Sequence, residues 1–341
     1  MIPFQFETAT SPADAAGRLA ADGAIAIAGG TTVVDLMKLN VMTAERVVSV
    51  KPVLSSEVRV QRDAVEIGAG CTMSQCAETP GLAEAFPALR QSLLLAATPQ
   101  IRNMATMAGN LLQRTRSPYF RHTDLPVEGP NAADDGLDAE ADPSLLAVLG
   151  NDGRLVGTYP GDFGVVFAAF GGEVITTGSG GERTIAAGDL YREPAGIEHQ
   201  YSTTLGDDVI TSLRLPINPR TNRSLYFKVR ERSSYAFALA SAAVGLELDG
   251  QTIRSASIGL GGLGSVPWRS DEAVDVLTGA AATDDRFEKA ADAALAAARP
   301  PAGAEFKVVV AKRTLVRALR QLRDEFPIGD ERMWAQQHGR G

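Results

Sequence analysis

The sequence predicts an α+β chain built as two domains, and three observations carry that prediction. Strand and helix patterns succeed one another early, starting with a compact strand–turn–helix–strand segment over residues 24–50. A proline stands on each side of a break at Pro216-Ile217-Asn218-Pro219, and proline neither continues a helix nor donates to a sheet. Beyond the break, strand patterns at 224–230, 242–248 and 252–259 read as one sheet, with helical patterns mostly after them. At 341 residues the chain is long enough for two domains of ordinary size.

The elements follow in order. A helix opens at Ser11-Pro12, with serine as cap and proline at the first helical position, and runs to about residue 21. An apolar strand over 24–28 enters Gly29-Gly30-Thr31-Thr32, a short helix follows over 33–39, and a strand over 46–50 closes a small βαβ lobe. Residues 58–68 read as a hairpin around Arg62-Asp63, with Val58, Val60, Val65 and Ile67 alternating. Helices are predicted over 72–78 and 82–97, the second ended by Pro99, which restricts the residue before it. Residues 124–152 hold eight acidic residues and no lysine or arginine, the pattern of a solvated loop and an insertion. Structure resumes at 155–158; Pro160-Gly161-Asp162 then opens an apolar helix over 163–170, and strands follow at 173–177 and 209–215. After the proline break, a helix is predicted over 233–240 between the first two strands. Helices at Asp271–Leu277, 284–298 and 308–322 close the chain. The resulting division is 1–218, with a small lobe to about 55, a larger lobe from about 56 and an acidic insertion at about 114–152; then 222–328; then a tail over 329–341.

The bulk numbers exclude several classes. A net charge of −8 argues against nucleic acid and anionic membrane surfaces, which call for basic stripes. No apolar run approaches the roughly 18 residues that span a bilayer. The N-terminus shows no export signal, so a cytoplasmic chain is expected, with export alongside a partner left open. The two cysteines, Cys71 and Cys76, read as small buried side chains. The histidines, His122, His199 and His338, have no metal-ligand spacing.

The strand–Gly29-Gly30–helix junction carries the first chemical signal. Two glycines allow positive φ and close backbone approach, and successive N–H groups at such a turn favour phosphate. A tight turn with no ligand reads the same way. A second, similar device at Thr106-Met107-Ala108-Gly109-Asn110 strengthens the phosphate reading, because one pyrophosphate held between two glycine turns is a dinucleotide-cofactor design. A third glycine cluster, Gly259-Leu260-Gly261-Gly262-Leu263-Gly264, matches G-x-G-x-x-G and follows a strand. Pro267 spoils the helix that must start there, so it reads as a glycine-rich strand end. No G-x-S-x-G elbow supports a serine hydrolase.

Four segments in one order point further: Ala28-Gly29-Gly30-Thr31; residues 99–116, from Pro-Gln-Ile-Arg-Asn through Thr106 to Arg116; Tyr159-Pro160-Gly161-Asp162; and Tyr226-Phe-Lys228-Val-Arg-Glu-Arg-Ser-Ser-Tyr235-Ala-Phe-Ala. The chain resembles, over about residues 3 to 328, the FAD-binding medium subunit of the molybdenum hydroxylases, the xanthine dehydrogenase, aldehyde oxidoreductase and carbon monoxide dehydrogenase group. The resemblance implies a flavin domain of the vanillyl-alcohol-oxidase-like (PCMH) type in two lobes, followed by a small α+β domain of the carbon monoxide dehydrogenase flavoprotein type. It implies that Ala28, Gly29, Gly30, Thr31 and Thr32, with Thr106, Gly109 and Asn110, hold the FAD pyrophosphate. Asp162 would contact the ribitol or ribose side, Ile210 would lie against the isoalloxazine, and Lys228 would reach its pyrimidine end. A fixed cation there suits the negative charge of reduced flavin. Each residue also has a plainer reading: Asp162 as a helix cap, Ile210 as core, Lys228 as an exposed strand lysine. Arg102 and Asn103 either bind phosphate or fix the turn.

Two departures stand out. Ala108 replaces the first glycine of the family's Thr-x-Gly-Gly-Asn. A subgroup of aldehyde oxidoreductases carries an iron–sulfur cluster in the insertion after this turn, but Ser117 stands here at an expected cysteine, and residues 110–160 contain none. A thiolate-held [4Fe-4S] cluster on this chain is therefore excluded. The resemblance implies non-covalent FAD on this chain, with molybdenum cofactor and [2Fe-2S] clusters only on a large and a small partner subunit, in a single or doubled heterotrimer. The expected function is electron transfer from the partner [2Fe-2S] subunit through FAD to an external acceptor, with no catalytic residue or metal on this chain. The alternatives are a self-standing flavin oxidoreductase, for which no histidine near Gly29-Gly30 provides a covalent tether, and a scaffold that has lost flavin, hinted at by Ala108.

Overall fold

A computed structural model describes residues 1–116, 142–152, 156–195 and 201–327. The three histidines, Ser117, most of the acidic run and the tail lie outside these.

The first layer is a parallel sheet. Strand β1 (Gln5–Thr8) leads into α1 (Pro12–Leu19), whose Ser11 cap accepts from the Asp14 N–H. Then come β2 (Ala24–Ile27), α2 (Val33–Lys38) and β3 (Arg46–Ser49), with β3 between β1 and β2. Neighbouring residues on β3 point to opposite faces. Val48 accordingly packs with Ala15 and Ala16 of α1, and Val47 with Met37 of α2. Strand β1 went unpredicted; Gln5-Phe6-Glu7-Thr8 shows no buried apolar alternation, and Phe6 is exposed.

The second layer is an antiparallel sheet in the order β4-β5-β10-β6-β7. In chain order it contains β4 (Val58–Val60), β5 (Ala64–Gly68), α3 (Met73–Ala77), α4 (Leu82–Ala85), α5 (Pro87–Leu95), α6 (Pro99–Arg102), α7 (Met107–Leu111) and α8 (Asp162–Ala169). β6 (Glu173–Gly178), β7 (Gly181–Ala186), α9 (Ala187–Leu190), the ribbon of β8 (Tyr191–Arg192) and β9 (Ser202–Thr203), and β10 (Val209–Pro216) complete it. The single helix predicted over 82–97 is two, because Phe86 leaves helical geometry (φ −153°, ψ 72°) and Pro87 starts afresh. Cys71 and Cys76 are buried in this layer's core, as expected.

The third layer follows α10 (Pro219–Asn222), where Pro219 takes the first helical position and Asn218 caps. Strands β11 (Ser224–Val229), β12 (Ala240–Asp249), β13 (Thr252–Gly261) and β14 (Trp268–Arg269) form one antiparallel sheet in that order. Helices α11 (Asp271–Leu277), α12 (Asp284–Ala294) and α13 (Glu305–Asp324) cover one face, where Leu225 and Phe227 of β11 meet their core. Tyr226 points the other way, into the core shared with α5 and α8. The helix predicted over 233–240 does not form. The Leu239 N–H donates to the Val229 carbonyl and Ala240 already pairs with Val229, so strand pairing overrides local propensity. No helix among the described residues is long and apolar enough to cross a membrane.

The G-x-G-x-x-G segment is a packing device. A Cβ on Gly259 would stand 2.8 Å from Ala169 Cβ and from the Val165 carbonyl oxygen, and one on Gly261 2.5 Å from Val165 Cγ2. Missing side chains let α8 lie directly on the sheet, and Gly262 (φ +70°) turns the chain toward β14. Elsewhere, Lys307 of α13 is fully buried, and its Nζ donates to the Leu146 carbonyl at 2.7 Å. Burial pushes this amine down to about 7.

Two outcomes are expected. Gly259→Ala should lower stability by about 1–3 kcal/mol through overpacking. Gly17→Ala, in helix α1 with no atom within 4 Å of the new methyl, should raise it by about 0.5–1 kcal/mol. Urea titrations of both variants check this. Between pH 7 and the ordinary lysine value of 10.5, the unfolded chain holds a proton that folded Lys307 has released. Stability therefore rises with pH across that window. A Lys307→Met chain should lack this rise when the two denaturation midpoints are compared at pH 7 and pH 9.

Candidate functional site

The two glycine turns meet. A Cβ on Gly29 would collide with the Met104 carbonyl oxygen, so the β2–α2 turn presses its backbone onto the segment leading to Thr106. Gly30 takes φ +73°, a conformation that side chains resist. Thr31 is exposed, and the Thr32 hydroxyl makes no capping bond to α2. On the other side, Thr106 Oγ1 accepts from the Gly109 N–H at 3.2 Å and caps α7. Thr106 also pairs with Thr72 in an isolated antiparallel bridge. The Met73 N–H donates to the Ala105 carbonyl and the Met107 N–H to that of Cys71, which locks the starts of α3 and α7 together.

Ala108 is accommodated here. It lies within α7, outside the positive-φ positions, and its methyl packs into the large core, leaving Gly109 on the exposed side. Asn110 is 8% exposed; its Nδ2 meets Met73 Sδ at 3.3 Å, and its Oδ1 has no partner. A buried amide end without a partner costs stability unless a ligand completes it. Rotated, that end presents two N–H donors, as a phosphate oxygen requires. Arg102 serves the turn: its Nη1 donates to the Ala96 carbonyl at 2.7 Å, beside Ala97 at φ +48°. Asn103 is exposed.

Three tyrosines hold the far end of α7, Tyr159 buried and Tyr191 and Tyr201 half-buried; of these, only Tyr159 belongs to a motif named from the sequence. Tyr159 and Tyr191 hydroxyls each donate to the Leu111 carbonyl at 3.0 Å, and Tyr201 donates to that of Gln113 at 2.7 Å. Burial pushes all three phenols well up. A Cβ on Gly161 or Gly164 would strike the Tyr159 ring. The Tyr-Pro-Gly-Asp motif thus fixes α7 through its tyrosine and starts α8 at Asp162.

Asp162 makes no cap bond. Its Oδ1 accepts from the Tyr226 hydroxyl at 2.6 Å and its Oδ2 from Lys228 Nζ at 2.8 Å, with side chains 6% and 1% exposed for Asp162 and Lys228. Lys228 is therefore a buried cation rather than an exposed strand lysine. It also donates to the Leu95 carbonyl at 3.2 Å, as does Arg230 Nη1. Tyr226 and Lys228 alternate along β11 and Arg230 follows just past its end, a polar stripe legible in sequence as i, i+2, i+4. Ile210 is buried in the large core beside a bulge at Thr211. The structure thus joins Gly29 to the Thr106–Asn110 turn, that turn through Tyr159 to the start of α8, and Asp162 to Lys228.

The family described as the FAD binding domain in molybdopterin dehydrogenase matches residues 2–218, and that of the CO dehydrogenase flavoprotein C-terminal domain matches residues 225–322. This chain belongs to the FAD-binding medium subunits of the molybdenum hydroxylase family. It is 35% identical over 327 residues to the aldehyde oxidoreductase FAD-binding subunit PaoB of Escherichia coli K12, covering 95% of this chain and 99% of that one. It is 29% identical to the carbon monoxide dehydrogenase medium chain of Afipia carboxidovorans, covering 94% and 97%. Reconstituted CO dehydrogenase from Oligotropha carboxidovorans has a solved chain of the same fold, with TM-score 0.73 and 27% identity over 95% of this chain and 99% of that one. The paired glycine turns, the unpartnered Asn110 amide end and the exposed Thr31 fit the FAD of this family.

Removing one partner of a buried ion pair strands the other. Asp162→Ala should destabilise the chain by about 3–5 kcal/mol. Tyr226→Phe, which removes one hydrogen bond to a carboxylate, should cost about 1.5–3 kcal/mol. Urea midpoints of the two variants, freed of cofactor, test that order.

Proposed function

We propose that the chain is the electron-transfer subunit of a molybdenum-dependent hydroxylase or dehydrogenase complex. It would hold FAD without a covalent bond, receive electrons from a small [2Fe-2S] partner and release them to an external acceptor. A large partner subunit with the molybdenum cofactor would carry out substrate oxidation. The observation that carries this reading is the pairing of the Gly29-Gly30 turn with the Thr106–Asn110 turn at one pole and the buried Asp162–Lys228 pair at the other. Several relatives named as medium chains support the partner assignment, among them a nicotine 6-hydroxylase medium subunit 25% identical to this chain. Their differing substrate names favour substrate choice on another chain.

In this reading, Gly29, Gly30, Thr31 and Thr32, with Thr106, Gly109 and Asn110, bind the pyrophosphate through N–H and hydroxyl donors. Ile210 packs against the ring, Asp162 meets the ribitol or ribose side, and Lys228 faces the pyrimidine end. The chain divides between residues 218 and 222 into the flavin domain and the C-terminal domain. Bound FAD supplies the exchange between two-electron and one-electron steps. The chain's own residues orient it and fix charge around it.

The purified full chain is expected to be yellow, to release free FAD on denaturation, and to oxidise no aldehyde or purine without its partners. Absorbance and chromatography of the released cofactor check this. A colourless chain, purified with its partners, would sink the proposal.

A further inference from the structure

We infer that Arg230, which makes no ion pair among the described residues, favours the reduced over the oxidised form of bound FAD. The inference rests on the flavin reading above. Tyr226, Lys228 and Arg230 share one face of the β11 strand line, and that face meets the start of α8 and the end of α5. One carboxylate there faces two cations. Asp162 is held by Tyr226 at 2.6 Å and by Lys228 at 2.8 Å. The Lys228–Asp162 pair, buried together, carries no net charge.

Arg230 lacks such a match. Its Nη1 donates to the Leu95 carbonyl at 3.2 Å, the same oxygen that Lys228 uses, so the two cations are neighbours. Among the described residues, Arg230 makes no ion pair of its own, and Asp162, whose charge acts on it, already carries Lys228. Burial pulls the guanidinium down, yet an arginine stays protonated throughout the working range. Arg230 is half-buried, so salt screens its charge less than on an open surface.

Two-electron reduction with uptake of one proton leaves the flavin ring one negative charge richer. A fixed cation in a poorly screened position stabilises that state over the neutral oxidised one. Lys228 then serves as the anchor of Asp162, Tyr226 as the residue that positions both, and Arg230 as the source of net charge.

The test is the two-electron potential of FAD in the full chain, titrated with dithionite against a reference dye, with the dissociation constant of oxidised FAD measured alongside. Arg230→Gln should weaken binding of reduced relative to oxidised FAD about tenfold, which is a potential lower by about 30 mV. Arg230→Lys, which keeps the charge, should stay near the wild-type value. An unchanged potential in Arg230→Gln overturns the inference, as does equal loss of both redox forms. A fall in Arg230→Lys as large as in Arg230→Gln also overturns it, since the guanidinium would then be a structural tie. A wild-type chain that takes up no FAD removes the flavin reading and this inference with it.

Discussion

Helix α8 reaches the β12–β13 surface only because Gly259 and Gly261 carry no side chain, and much of the site depends on that approach. Val165 and Ala169 occupy the space that Cβ atoms would fill. On the neighbouring strand, a Cβ at Gly245 would meet the Phe170 ring at 2.6 Å. Packed interiors have few voids and transmit displacement. A helix lifted by a methyl's width would carry Asp162, its first residue, away from Tyr226 and Lys228. The link between the two domains is therefore steric first and electrostatic second: the glycines set the distance at which a 2.8 Å ion pair forms.

That pair is costly to build. Taking a carboxylate and an ammonium out of water costs several kcal/mol per ion, and the attraction between them repays this only with good geometry and further hydrogen bonds. Here the further bonds exist: Tyr226 on one carboxylate oxygen, and the Leu95 carbonyl on the ammonium. Well-packed apolar residues of similar volume often match or exceed a buried ion pair in stability. Stability alone therefore does not account for this pair; its hydrogen bonds fix Asp162 against Tyr226 and Lys228.

Much of this was legible in sequence, for identifiable reasons. The proline break, the apolar helix after Asp162 and the strands of the third layer announce themselves through periodicity and through proline's fixed geometry. Strand β1 left no trace because its side chains are largely exposed. The 233–240 segment misled because its helical look is local, whereas Tyr235 takes φ +50° and the end of the segment pairs with β11. The glycine turns were visible as turns, but their mutual contact was not, since nothing in a linear chain says that Gly29 will press against Met104. Lys228 was found through a family motif. Tyr226 and Arg230 lie on the same face of the strand line, two residues either side of Lys228, but their bonds to Asp162 and Leu95 are non-local and leave no mark in the sequence.

Phenol side chains distant in sequence hold the end of α7. Helix ends leave carbonyls unpaired, and here the chain runs from that end directly toward the insertion. Two phenols donate to Leu111 and one to Gln113, while the rings of Tyr159, Tyr191 and Tyr201 pack edge-to-face at 5.3–5.7 Å. Such pairs add to burial, and the raised phenols stay neutral donors at any working pH. Among the described residues, the anchoring comes from Tyr159 before α8 and from Tyr191 and Tyr201 of the β8–β9 region. The turn that carries Thr106, Gly109 and Asn110 is thus held from outside. These anchors are phenols and backbone carbonyls, so the absence of cysteine from residues 110–160 removes the ligands of a cluster without touching them.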